Sequence, residues 1–420
     1  MKLIEELKER GLVDALTDPA IAEALDRPLT LYCGFDPSAK SLQAGNLVSI
    51  IVLRRFQQAG HKVIALVGGA TGLIGDPSGK SAERNMLTVE QVAENKKGIR
   101  ENLSRILDFD GPNAAIMVDN YDWYSGTSAI EFLRDIAINF RVPQMLAKES
   151  VKKRLEASEG ALTFTEFSYQ ILQGNDFLHL FDNYGCSLEI GGADQWGNIT
   201  AGTDLVHRMR GKTAFGLTFP LLLDSTGRKF GKSEGNALFL DASMTSEYDW
   251  YQYFLRCADA DVIRYLKVFS MKSLEEIAEL ESQMKANPEA RIPQKALAEE
   301  LTRLVHGEKG LEKALGATRT LFSGNVAGKS AEELETIFKD VKSAEMPRAD
   351  VEGKCVYAVA AAAGMFKSNG EARRMAAQGG LSLNGNKVDE KRVFEESDFI
   401  DGRVTILRQG KKNNFLVKLV

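Results

Sequence analysis

Leu29-Thr-Leu-Tyr-Cys-Gly-Phe-Asp-Pro-Ser-Ala-Lys-Ser-Leu-Gln-Ala-Gly-Asn-Leu47 runs from a short apolar segment through chain breakers into the head of a helical pattern. Leu29 to Cys33 reads as a buried strand, Gly34 and Asp36-Pro37 break regular structure, and Gly45 opens the helical run Val48 to Ala59. Strand, glycine-bearing turn and helix in that order leave unpaired backbone N–H groups at a helix start, where an anion can be met. Alone the pattern is weak, because most such units in α/β proteins bind nothing. Its weight comes from Lys229-Phe-Gly-Lys-Ser233, far downstream, on a loop after Pro220-Leu-Leu-Leu-Asp-Ser-Thr-Gly227. Two lysines flanking a glycine suit a mobile cationic arm that closes on a polyphosphate whose adenosine end lies over the first stretch.

Composition bounds the remainder. A length of 420 residues corresponds to roughly three domains. With 44% hydrophobic and 26% charged residues, the chain has an ordinary globular make-up and can bury substantial cores. The four cysteines, Cys33, Cys186, Cys257 and Cys355, have no paired spacing, so neither a disulfide framework nor a zinc site is indicated and a reducing compartment is expected. The first residues form a charged amphipathic helix rather than a signal peptide, and no apolar run is long enough to span a membrane. A cytoplasmic location follows as the expectation. The net charge of −5 hides an asymmetry: residues 355–420 hold 11 Lys+Arg and 7 Asp+Glu, a net of +4, against −9 for residues 1–354. A basic C-terminal module on an acidic body is one reading, and a chance surface imbalance is the other.

After the first helix, Val63 to Val67 reads as a second buried strand, followed by the glycine-rich loop Gly68 to Lys80. Two such units in tandem predict an α/β fold with a doubly wound parallel sheet of Rossmann-like type, ligands lying at the carboxyl ends of its strands. The loop has neither Walker spacing nor a dinucleotide fingerprint in its usual place. Lys80 and Arg84 either reach phosphate or are solvated. Residues 90–108 read as helix, Ala114 to Val118 as strand and Ser128 to Phe140 as helix, while Val142 to Leu162 interrupts the rhythm as an insertion would. Phe164 to Leu180 is an amphipathic helix with Tyr169, Gln173 and Asp176 on one face, either a core network or a ligand site. Ser187 to Thr200 is another strand-turn-helix junction. Gly191-Gly192 permit close backbone approach there, and Asp194 is either an N-cap or an acceptor for ribose hydroxyls. Residues 248–321 then read as helical, 342–354 as a linker, and 355–420 as helices followed by short strands with turns at Asn384-Gly385 and Asp401-Gly402.

Five stretches carry a resemblance: Tyr32-Cys-Gly-Phe-Asp-Pro37, Val67-Gly-Gly-Ala-Thr-Gly-Leu-Ile-Gly-Asp-Pro-Ser-Gly-Lys80, Phe164-Thr-Glu-Phe-Ser-Tyr169, Gly191-Gly-Ala-Asp-Gln-Trp-Gly-Asn198 and Lys229-Phe-Gly-Lys-Ser233. In this order and spacing the chain resembles the bacterial-type tyrosyl-tRNA synthetases, which are class I aminoacyl-tRNA synthetases, over essentially its whole length. The resemblance implies a class I catalytic domain over residues 1–240, with an inserted dimer-interface segment at about 120–165. It also implies a helical anticodon-region domain over 241–341, a linker at 342–354 and a small α+β RNA-binding domain over 355–420. It implies tyrosine activation by ATP, arriving with Mg2+, to tyrosyl-adenylate and pyrophosphate, then transfer to tRNA(Tyr) by a homodimer with no tightly held metal of its own and no membrane association. By matching positions, Tyr32 and Asp176 meet the substrate phenol, Asp76, Tyr169 and Gln173 its ammonium, and Gln195 its carboxylate. Cys33, Gly34, Asp36, Ser38, Gly45, Gly192 and Asp194 line the ATP and adenylate, with Leu221 and Leu222 against adenine. Lys80, Arg84, Lys229 and Lys232 grip the pyrophosphate end, Lys232 being shared with the ATP site.

No side-chain nucleophile is required, since the substrate carboxylate attacks. Catalysis then rests on positioning and on positive charge at the departing phosphates, which fits four histidines, His61, His179, His207 and His306, that all lie outside the motifs. One departure stands out. Where class I enzymes carry His-Ile-Gly-His, this chain reads Gln43-Ala-Gly-Asn46, so Gln43 and Asn46 are the expected carboxamide replacements in catalysis. The alternative is a non-aminoacylating RNA-binding paralogue that keeps the fold. The end module resembles an RNA-binding domain shared with a small-subunit ribosomal protein, through Ser368-Asn-Gly-Glu-Ala-Arg-Arg374, Leu383-Asn-Gly385 and Arg408-Gln-Gly-Lys-Lys412. It makes Arg373, Arg408, Lys411 and Lys412 the expected tRNA contacts.

Overall fold

A computed structural model describes residues 1–78, 87–156, 162–233, 236–323, 326–339, 341–410 and 413–420. The expected phosphate ligands Lys80 and Arg84, and the expected RNA contacts Lys411 and Lys412, lie outside the described residues, as does the side chain of Lys232. The chain divides into two compact units, Met1–Ser246 with Trp250–Gly307, and Glu247–Asp249 with Glu308–Val420.

The first unit is built on six strands: β1 (Ala15–Leu16), β2 (Thr30–Phe35), β3 (Lys62–Val67), β4 (Ile116–Asp119), β5 (Cys186–Gly192) and β6 (Phe215–Phe219). Their order is β1-β6-β5-β2-β3-β4, all pairs parallel except β1–β6. Five of the six β3 residues are buried, the near-continuous apolar run expected of a strand covered on both faces. The crossovers are helical: α1 (Ala44–Gln58) links β2 to β3, α2 (Val89–Ile106) links β3 to β4, α3 (Phe164–Tyr184) precedes β5, and α4 (Trp196–Arg210) links β5 to β6. Local chemistry sets the ends of α3. The Thr163 hydroxyl accepts from the Glu166 N–H at 3.2 Å, and the helix stops at Gly185 with φ 62°. Phe177, Leu178 and Leu180 of α3 and Leu205 and Val206 of α4 form one core with Tyr32, Ile64, Leu66 and Val118 of the sheet.

From β2 the chain winds outward through β3 and β4, and from β5 outward through β6. The neighbours β2 and β5 are therefore the switch point of the sheet, and the crevice at their carboxyl ends is where such folds hold ligands. The expected segment Ser128 to Phe140 is a broken succession of short helical turns, Ala129–Glu131, Phe132–Ile136 and Ala137–Asn139, rather than one helix. The short antiparallel pair β7 (Lys232–Ser233) and β8 (Asn236–Ala237) and then helices α5 (Asp259–Phe269) and α6 (Leu274–Ala286) follow in this unit. Next comes α7 (Ile292–Ser323), interrupted at Gly307, whose φ of 70° and ψ of −178° are not helical.

That break divides the helical stretch 241–341 expected as one domain: residues up to Gly307 cluster with the sheet, and those after it belong to the second unit. The second unit also absorbs the expected linker. Within 342–354 lies the strand β9 (Ser343–Met346), hydrogen-bonded in parallel to the last strand, and a helical turn whose Val351 is fully buried. Backbone pairing recruits this polar segment, with Ala344, Met346 and the buried Val351 packing on the core of the unit. With β10 (Leu381–Leu383), β11 (Asn386–Lys387), β12 (Val404–Gln409) and β13 (Asn413–Leu419) it makes a sheet of order β11-β10-β12-β13-β9. Helices α8 (Ala331–Ile337), α9 (Val356–Ala362) and α10 (Asn369–Ala377) complete the unit. The β10–β11 turn takes positive φ at both Asn384 (49°) and Gly385 (87°), the two-residue hairpin geometry expected of an Asn-Gly pair.

Candidate active site

Five carboxylates gather at the carboxyl ends of β2 and β5 or just beneath them. Asp36 follows β2, and its Oδ1 accepts from the Thr71 hydroxyl at 2.7 Å and its Oδ2 from the Tyr169 hydroxyl at 2.8 Å. Gly68 is required beside it, since a Cβ there would fall on the Asp36 carboxylate and the Thr71 hydroxyl. Asp76 accepts from Gln195 Nε2 at 2.7 Å and from the Ser78 N–H at 2.9 Å. Asp176 on α3 is buried, its Oδ1 accepting from Trp123 Nε1 at 2.9 Å and its Oδ2 from Asn120 Nδ2 at 3.0 Å. Asn120 also donates to Thr71 Oγ1 at 3.0 Å and accepts from the Ala70 N–H at 2.7 Å. One side chain thus ties the glycine loop after β3 to the end of β4 and to α3. Burial lifts the Asp176 carboxyl to about 7, against the hydrogen bonds from Asn120, Trp123 and Tyr124 that favour its charged form.

Tyr32, on β2, is buried among Phe177 and its strand neighbours; burial and then the nearby Glu189 and Asp176 hold its phenol well above the usual range. Tyr169 is shifted the same way, by burial first and then by Asp36 and Asp76. Gln173 donates to Glu189 Oε1 at 2.8 Å. The helix face Tyr169–Gln173–Asp176 thus carries three polar groups that each hydrogen-bond to a neighbouring element, Tyr169 to Asp36, Gln173 to Glu189 and Asp176 to Asn120 and Trp123. Cys33 lies beneath with its thiol pushed up to about 12 by burial, so it is no thiolate nucleophile. Gly34, by contrast, is exposed and leaves the backbone of β2 open to a ligand.

Backbone hydrogen bonds join the lysine loop to the start of α1. Ala44 donates to the Leu238 carbonyl and Leu238 to the Gly231 carbonyl, both at 2.8 Å, so the lysine loop is stitched to the start of α1. Gly231 has φ 80°, and a Cβ there would stand 3.1 Å from Ala44 Cβ and 3.2 Å from the Gly45 N–H nitrogen. Phe230 anchors the loop in an aromatic cluster with Phe269 and Tyr265, each ring 5.0 Å away. Lys229 is exposed and acts on Asp194, whose carboxyl burial raises above its usual range. Asp194 lies in a single 3-10 turn before α4 and does not cap that helix, whose N-cap is Gln195, without a side-chain bond. Beside it, a Cβ on Gly192 would stand 3.4 Å from Leu221, which is exposed, with Leu222 half-buried. Ser38 is exposed on the loop after β2.

Gln43 is the N-cap of α1 and Asn46 its third residue. Asn46 is exposed, and its Oδ1 accepts from the Gln43 N–H at 3.0 Å. Sequence reasoning missed Asn120, Trp123, Thr71, Asn198 and Glu189. For Glu189 a signal existed, a lone acid inside an apolar parallel strand. In the second unit, Arg373 is exposed on α10, 3.8 Å from Glu390, and Arg408 is half-buried on β12.

The doubly wound parallel sheet, with polar side chains gathered at its switch point, is the architecture of the nucleotide-using α/β enzymes. The chain belongs to the class I tRNA synthetases of the tryptophan and tyrosine group, whose family model matches residues 24–323. A second family, the tyrosine–tRNA ligase SYY-like C-terminal domain, matches residues 333–417, a span that includes β9. The chain is 47% identical over 421 residues to a curated tyrosine–tRNA ligase of Protochlamydia amoebophila, covering 100% of this chain and 99% of that protein. It is 49% identical to one of Escherichia fergusonii, covering 99% and 98%. Among solved structures, a C-terminally truncated mitochondrial tyrosyl-tRNA synthetase of Aspergillus nidulans superposes with a TM-score of 0.69 at 29% identity, over 76% of this chain and 94% of that one.

Proposed function

We infer that this protein is a tyrosine–tRNA ligase. It activates L-tyrosine with ATP, presented with Mg2+, and passes the tyrosyl group to the 3′ end of tRNA(Tyr). The observation that carries the reading is the buried Asp176, held by Asn120 and Trp123 near Tyr32 at the switch point of the sheet. A phenol O–H satisfies such a pair, and an indole or an unsubstituted ring does not reach it in the same way. Full-length similarity to tyrosine–tRNA ligases supports the same substrate.

Asp76, Tyr169 and Gln173 receive the substrate ammonium, and Gln195 its carboxylate. An oxygen of that carboxylate attacks the α-phosphorus, the bond to the bridging oxygen breaks, and pyrophosphate leaves with the electron pair. No base is needed, because the nucleophile is already an anion. Gly34, Asp36, Ser38, Gly45, Gly192 and Asp194 line the nucleotide, with Leu221 and Leu222 against adenine. Gln43, Asn46, Lys80, Arg84, Lys229 and Lys232 meet the phosphates as donors and cations, most strongly where charge develops on the leaving group.

The protein acts in the cytoplasm as a homodimer. The segment about 120–165 supports the pairing surface, with Ile130, Ile138 and Phe164 exposed by 71%, 63% and 75%. The second unit binds tRNA, with Arg373, Arg408, Lys411 and Lys412 on phosphate. Tyrosine-dependent exchange of pyrophosphate into ATP, followed by tyrosylation of tRNA, tests the assignment. An absence of exchange by folded protein would leave the non-aminoacylating paralogue in its place.

A further inference from the structure

Glu189 stands on β5 directly across from Tyr32 on β2 and is 2% exposed. Its Oε1 is occupied by Gln173. Its Oε2 and the Tyr32 hydroxyl are both sealed from solvent, and neither closes a hydrogen bond of normal geometry, although each perturbs the other's ionisation. A carboxylate left charged there would lie in low dielectric beside Asp176, an arrangement that favours the neutral acid.

We propose that Glu189 is a positioning residue for tyrosine, a neutral acid whose O–H donates to the Tyr32 oxygen and so turns the single Tyr32 proton toward the substrate phenol. The inference rests on the reading of Tyr32 and Asp176 as the phenol site. Hydrogen bonds then run in one direction, from Glu189 to Tyr32, from Tyr32 to the phenol oxygen, and from the phenol proton to the Asp176 carboxylate. Ionised Glu189 would take the Tyr32 proton for itself, and the phenol would face two acceptors with one proton. A phenylalanine ring would leave both Tyr32 and Asp176 unmatched, a selectivity for which tyrosyl enzymes are themselves the standard illustration.

Burial first, and Asp176 besides, lift the Glu189 carboxyl to about 8. The charged and titratable groups that act with it are Tyr32 and Cys33 from β2, Asp176 from α3, and Cys186 of its own strand; from α4 the packing residue is Gly202, which carries no charge. Because Asp176 and tyrosine itself also titrate, the informative quantity is the difference between wild type and Glu189→Gln. Glutamine keeps an acceptor for Gln173 and a neutral donor for Tyr32.

Tyrosine dissociation constants, measured by equilibrium dialysis between pH 6.5 and 9.5, test this on the full-length protein. Glu189→Gln should match wild type at pH 7 and hold its affinity at pH 9, where wild type weakens by about tenfold relative to it. Glu189→Leu should bind tyrosine about tenfold more weakly than Glu189→Gln at every pH, as one lost hydrogen bond implies, with a narrower preference over phenylalanine. Superimposable wild-type and Gln profiles, or a Gln variant as weak as Leu at pH 7, would overturn the proposal. Tyr32→Phe separates the two layers. Normal tyrosine affinity in that variant removes the phenol-site reading itself, whereas impaired affinity there beside unaffected Glu189 variants removes only the role of Glu189.

Discussion

Replacing Gly231 by alanine tests whether the seating of the lysine loop on α1 sets the rate of activation. The residue sits at φ 80°, and its added Cβ would meet Ala44 Cβ at 3.1 Å and the Gly45 nitrogen at 3.2 Å. Left-handed backbone costs an alanine about 1–2 kcal/mol. The two contacts are tighter than ordinary van der Waals distance, so the loop must also retreat by a few tenths of an ångström, straining the Leu238–Gly231 and Ala44–Leu238 hydrogen bonds. Loss of one of these adds roughly 1 kcal/mol. Gly227 supplies the control, since it has φ 82° on the same loop and nothing within 4 Å of its added Cβ. Gly227→Ala meets the backbone term alone, and Gly231→Ala meets both. Single-turnover quench-flow measurement of tyrosyl-adenylate formation should show Gly231→Ala slower than Gly227→Ala by about tenfold, the equivalent of ~1.4 kcal/mol, with tyrosine affinity unchanged in both. Equal rates in the two variants would show that contact with the helix start does not align the loop. A Gly231→Ala defect that appears in tyrosine binding rather than in rate would sink the reasoning from the other side.

Asn46→Asp keeps the acceptor for the Gln43 N–H while removing the donor and adding negative charge, so thermal stability should hold while adenylate formation slows by on the order of 2 kcal/mol; Asn46→Ala should lose in both measurements. Asp176→Asn should remove a pH-dependent loss of stability while abolishing tight tyrosine binding, and its N–H2 loses one of the two bonds from Trp123 and Asn120. The folded carboxyl titrates near 7 against 3.8 for the free group, so between those values the folded state holds the proton and the unfolded state does not. Wild-type stability therefore falls by on the order of a few kcal/mol as pH rises from about 4 to about 7 and is level above, and the variant should lack that fall in urea titrations across the range; parallel pH profiles for the two proteins would contradict the burial argument. Arg373→Ala should weaken tRNA binding and lower the slope of log affinity against log salt by about 1, leaving pyrophosphate exchange intact; an unchanged slope would remove Arg373 from the phosphate contacts.

Pattern reasoning reached what is local in the chain. The strand-turn-helix junctions at Leu29 to Leu47 and Ser187 to Thr200, the glycine loop after β3 and the hairpin at Asn384-Gly385 are each specified by neighbours in sequence, and each is present. The floor of the pocket was hidden because its bonds join residues far apart: Asn120 reaches Asp176 across 56 positions and Thr71 across 49. An Asn after a short strand carries no mark of that reach. The polar stretch Ser343–Met346 read as a linker because an edge strand pairs through backbone, and its alternating exposure leaves no apolar run to detect. The boundary inside α7 rests on Gly307 alone, one glycine in a sequence that is otherwise helical on both sides.

The carboxamides at 43 and 46 show how a departure from a motif becomes intelligible only with coordinates. Sequence reasoning valued Asn46 for its donor. The structure adds that its acceptor is already committed, because Oδ1 closes the first turn of α1 on the Gln43 N–H. An amide has two chemically different ends, and fixing one fixes the direction of the other. The N–H2 group is therefore the end left for another partner, on the first turn of the helix whose Ala44 and Gly45 the Gly231 loop approaches. A donor oriented in advance needs no reorganisation as charge develops on the phosphates, which is the condition under which such a group favours the transition state over the ground state.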